Sequence, residues 1–77
     1  MVKNRHFDVK DGDLYEDVIH WIKSGVRVRC MSSESANFKG WVRIDVWCTD
    51  EEMLRIIQGL RNRIAVDESR FYFESIV

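Results

Sequence analysis

The strongest constraint in this chain is a change of period at Thr49. Before it, Val42, Ile44, Val46 and Cys48 alternate with Trp41, Arg43, Asp45 and Trp47. A period of two marks a strand with two different faces, and the β-branched residues favour it. After it, Met53, Ile56, Ile57, Leu60 and Ile64 fall on one helical face. Thr49 and Glu52 stand three apart at the switch. That spacing is a capping box, in which each side chain serves the other residue's backbone N–H. A strand over 41–48 therefore runs directly into a helix.

The same two periods organise the rest. Leu14, Val18, Trp21 and Ile22 share a helical face, with Asp13 and Glu16 at its start and Ser24-Gly25 at its end. Residues 26–31 alternate, with Val26, Val28 and Cys30 against Arg27, Arg29 and Met31. This predicts a half-buried strand, joined by a polar connection over 32–40 to the strand at 41–48, so that the two form an antiparallel hairpin. A short strand over 5–9 precedes the first helix, with Phe7 and Val9 on one side, and Gly12 breaks the chain after it. Residues 66–69 turn, and the aromatic and β-branched stretch 70–77 reads as a last strand. Gly59, inside the second helix, costs about 1 kcal/mol against Ala unless close packing on a neighbouring strand requires it.

The order is β-α-β-β-α-β. One apolar stripe per helix and one apolar face per strand give two layers. The expected fold is α+β, a ferredoxin-like two-layer sandwich with an antiparallel sheet and both helices on one face. Right-handed crossovers place the first and third strands centrally. No repeat or linker divides residues 1–77, which read as a single domain. Hydrophobic residues make up 45% and aromatic residues 12% of the 77, enough for a core and too much for a disordered chain.

Such a fold leaves one sheet face without helices. If the aliphatic residues of the hairpin point to the helices, Arg27, Arg29, Met31, Trp41, Arg43, Asp45 and Trp47 point away. Tyr72 and Ile76 join them if Phe71 and Phe73 turn inward. Two Trp, a Met, a Tyr and an Ile are a large apolar load for a bare surface, and Trp, Tyr and Arg dominate interface energetics. Phe38 stands alone as an apolar residue in the polar connection. The expected partner-binding set is therefore Arg27, Arg29, Met31, Phe38, Trp41, Arg43, Trp47 and Tyr72. It would meet a protein partner or a second copy of the chain, in a small regulatory or inhibitory protein such as phages and mobile elements carry.

Two family resemblances bear on alternatives. Lys39-Gly40-Trp41-Val42-Arg43-Ile44-Asp45-Val46 resembles the RNA-contacting third-strand motif of RRM domains. Lys39, Gly40 and Ile44 agree with it and Trp41 replaces its first aromatic. Val42 stands where Gly or Ala is usual, and Arg43 and Val46 where further aromatics are usual. The resemblance implies single-stranded RNA stacked on the sheet. Gly12, Leu14, Val18, Ile22, Gly25, Val26 and Val28 are spaced similarly to the first loop, helix and second strand of ACT-type regulatory domains, which implies a small-ligand sensor. Asp11-Gly12-Asp13 lacks the Pro usual in that loop. The element order that the two families share is the common content of both likenesses.

Other classes are disfavoured. The formal net charge is −1, so the chain lacks the basic field of a duplex-DNA binder, although 26–49 is locally basic. Cys30 and Cys48 stand 18 apart without paired histidines, which fits neither zinc nor a disulfide framework. They read as small buried hydrophobes in a reducing, cytoplasmic setting, and no apolar run is long enough for a membrane span. His20 reads as a surface residue, and His6 beside Asp8 is the one acid–base pair in view. No nucleophile–base set or phosphate loop is present, so neither an enzyme nor a cofactor is expected.

Overall fold

A computed structural model describes residues 1–10, 12–64 and 71–72. The first strand, β1, spans Lys3–Val9, and helix α1 spans Gly12–His20. The strands β2 and β3 cover Arg29–Glu34 and Val42–Cys48, and helix α2 covers Asp50–Gly59. The last described element, β4, is Phe71–Tyr72. The expected turn at 66–69 and the expected strand beyond 72 lie outside the described residues.

The chain is α+β, an antiparallel sheet with two helices. Strands β2, β3 and β1 lie in that order, and β4 pairs antiparallel with the far side of β1 over its two residues. The β1–β3 register runs from Lys3 opposite Cys48 to Val9 opposite Val42. Because directly opposed residues share a face, Phe7, Val9, Ile44, Val46 and Cys48 lie together. They form one buried cluster with Leu14, Val18 and Ile22 from the first helix and Met53, Ile56 and Leu60 from the second. The core therefore sits between one sheet face and both helices, as the alternation predicts.

Thr49 caps α2 as the sequence indicates. Its Oγ1 accepts from the Glu52 backbone N–H at 3.2 Å, and Glu52 Oε1 accepts from the Thr49 N–H at 2.9 Å. Arg5, on the helix side of β1, reaches this same helix start and pairs with Asp50. The hydrogen bond and charge of Arg5 hold the Asp50 carboxyl below the usual carboxylate range.

Several expected boundaries move. The first helix starts at Gly12, so Asp13 stands in its first turn. It does not end at Gly25 either, but continues as a π-helical turn over Trp21–Val26. The backbone N–H of Arg27 bonds back five residues to the Ile22 carbonyl at 2.8 Å. Strand β2 starts at Arg29 rather than 26 and absorbs 32–34 from the expected connection. A second π-helical turn, Leu60–Ile64, extends α2.

The reason is the Trp21 indole. A Cβ on Gly25 or on Gly59 would fall well inside contact distance of this ring. Gly59 thus makes room for a side chain of the other helix, not for a neighbouring strand. Gly25 is occupied in the same way, so the left-handed residue that ends the helix is Arg27, with φ 66° and ψ 49°. A non-glycine residue there is strained. Arg27→Gly is therefore expected to stabilise the fold by about 0.5–1 kcal/mol. A higher urea midpoint at unchanged slope would show it.

The helix-free sheet face as candidate functional site

The residues between the core positions build this face. On β3 they are Arg43, Asp45 and Trp47, on β2 Arg29, Met31 and Ser33, and on β1 Asn4, His6 and Asp8. Across strands, Arg29 stands opposite Trp47, Met31 opposite Asp45, and Asp8 opposite Arg43. Alternation alone locates Arg29, Met31, Arg43 and Trp47 here, as expected. Arg27 is not among them. It occupies the left-handed link between the π-helical turn and β2, outside the sheet, because the helix is longer than its glycine suggests. Tyr72 stands opposite Asp8 in the β1–β4 register.

At one end of the face, the Arg29 guanidinium carbon lies 4.4 Å from the centre of the Trp47 ring. This is a cation–π contact. Met31 lies beside it on β2, 55% exposed. In the middle, Arg43 donates two hydrogen bonds to Asp45, at 3.1 and 3.2 Å. This forked pair cancels both charges within β3.

The other end is closed by the loop between β2 and β3. Ser35 Oγ accepts from the backbone N–H groups of Asn37 and Phe38, at 3.2 and 3.1 Å, and so folds the loop back. Phe38 and Trp41 stack with ring centres 4.5 Å apart and planes tilted by 34°. Phe38 thus packs on Trp41, which precedes β3 rather than opening it. Asn37 donates to Asp8 Oδ2 at 3.1 Å, and Asp8 is 1% exposed. A shallow hollow of about 680 Å³ lies against this loop, lined by Glu34, Asn37, Lys39 and Trp41 among others.

Asp8, named from the sequence only beside His6, and Asn37 form the pair at this site that sequence reasoning misses. They are 29 residues apart, and no local pattern links them. The only available signal is an acid in a strand position that faces away from the core.

The remaining candidates resolve simply. His20 is exposed. Cys30 and Cys48 are free thiols that face the helices, and burial pushes both above the usual thiol range. That makes each a poor nucleophile at neutral pH. Among the described residues, no group of three or more His, Cys, Asp or Glu could hold a metal ion. Among them, too, no helix is long and apolar enough to cross a membrane. The chain matches no family model, no curated protein and no solved structure.

Proposed function

We propose that this chain is a non-catalytic binding module of ferredoxin-like βαββαβ architecture, which holds a protein partner against its helix-free sheet face. The architectural part draws on the element order, the strand order β2-β3-β1-β4 and the single core between sheet and helices. The functional part is carried by one observation. Trp47 lies under Arg29 with Met31 beside it, on a broad sheet face that no helix among the described residues covers. A rigid aromatic, a guanidinium and an adaptable thioether are the groups from which interface anchors are built.

The same geometry disfavours RNA on this face. Stacking needs free ring faces, and phosphate binding needs free cations. Phe38 packs on Trp41, Arg29 sits on Trp47, and Arg43 is matched by Asp45.

The test uses the wild type and an Arg29→Ala/Trp47→Ala variant as affinity baits in cells that express the chain. Arg29 is exposed and Trp47 half-buried, and neither belongs to the core cluster, so circular dichroism should be unchanged. The expected result is a partner retained by the wild type and released by the variant. Equal retention by both baits, or none by either, counts against the face. Salt-sensitive quenching of tryptophan fluorescence by an oligouridylate would instead move the function to single-stranded RNA.

A further inference from the structure

We propose that the chain forms a symmetric dimer by pairing the β2 edge antiparallel with the β2 edge of a second copy, centred on Met31. The strand order places β2 at one end of the sheet, and among the described residues no strand pairs with its outer side. An unpaired strand edge offers a row of N–H and C=O groups that another strand complements. Proteins that stay monomeric blunt such an edge with proline, lysine or a bulge. Here the chain has no proline and β2 has no lysine. Its pairing with β3 runs without a break from Arg29–Trp47 to Glu34–Val42, so no bulge turns the edge away.

The strand is also complementary to itself. Its only charges are Arg29 at the start and Glu34 at the end. Antiparallel alignment brings the Arg29 end of each copy to the Glu34 end of the other, with the two side chains on opposite sheet faces, so the charges favour the direction of pairing without forming an ion pair. Parallel alignment would set like charges together. A two-fold axis through Met31, perpendicular to the sheet, keeps each face continuous across the pair because directly opposed residues then share a face. It sets Cys30 opposite Ser32 and Arg29 opposite Ser33. It also sets Met31 opposite its own copy, covering a side chain that is 55% exposed in the single chain. The two helix layers then lie on one side, and the two helix-free faces join into one surface. This proposal concerns the backbone edge of β2, and it shares the side chains of Arg29 and Met31, but not Trp47 on β3, with the partner proposal.

Light scattering on the purified chain tests it. The expected mass is twice the 9.2 kDa of one chain. Met31→Lys opposes two like charges at the axis and should halve that mass with an unchanged circular dichroism spectrum. In a Cys30→Ser/Met31→Cys variant, mild oxidation should link the copies through residue 31. A wild type that stays at the single-chain mass at high concentration overturns the proposal. So does a dimer that survives Met31→Lys, or one in which the introduced thiols do not cross-link. Binding of a partner by the face is read separately through Trp47→Ala, which lies on β3 and leaves the β2 edge intact, so loss of partner binding with the dimer mass retained distinguishes the two.

Discussion

Replacing Gly59 by Ala should destabilise this protein by about 2–3 kcal/mol, although alanine is the better helix former. The intrinsic preference favours Ala by about 1 kcal/mol in a helix interior. Packing overrides it. Gly59 is buried in α2, and a methyl group there would meet the pyrrole edge of Trp21 well inside contact distance. The ring has little room to move, because on its other flank Gly25 leaves no more space than Gly59 does. Overpacking of this kind costs about 1–3 kcal/mol and occasionally more. For a chain of this length the whole stability is about 4–12 kcal/mol. Thermal unfolding should fall by roughly 10–20 °C.

The sign of the effect identifies its cause. With Trp21→Leu as background, the obstacle is gone and only helix preference remains. Gly59→Ala should then stabilise that background by about 1 kcal/mol. A double-mutant cycle over the two positions reads the difference directly. If Gly59→Ala is harmful in both backgrounds, the glycine answers to something other than the indole. Gly25→Ala should behave as Gly59→Ala does, since its added methyl meets the benzo edge of the same ring.

These glycines also show where sequence reasoning stopped. Periodicity located both helices, β3 and the capping box, because each of those signals lies within a few residues. The apolar face of α1 even included Trp21. What the residues could not convey was which neighbour Trp21 would meet, since Gly59 is on the other helix. Without that contact, Gly25 reads as a helix terminator, and β2 then starts three residues too early. Arg27 moves onto the sheet as a consequence. The site divides in the same way. Arg29, Met31, Arg43 and Trp47 follow from alternation within single strands. The Asn37–Asp8 bond and the packing of Phe38 on Trp41 depend on how the connecting loop folds back, which Ser35 decides through two local hydrogen bonds.

The least legible element, β1, supports the second large effect. Phe7→Ala should cost about 3–5 kcal/mol, close to the limit for single core truncations. In sequence β1 is a poor central strand, because it carries Arg5 and Asp8 around Phe7 and Val9. The fold resolves both charges over long range. Arg5 pairs with Asp50 at the start of α2, and Asp8 accepts from Asn37 in the loop. That leaves Phe7 fully buried, opposite Ile44, on the strand between β3 and β4. Truncation there opens a cavity in the buried cluster that the sheet shares with both helices, which the surroundings fill only in part. Denaturant unfolding should show a midpoint near the lower limit of a folded state, with a slope like that of the wild type. Met31→Ala, on the exposed edge strand, should by contrast stay within about 0.5 kcal/mol when measured dilute enough to hold the chain as a monomer. A loss of only about 1 kcal/mol for Phe7→Ala would mean that β1 is a peripheral strand. The central position of β1, and with it the order of the sheet, would then have to be abandoned.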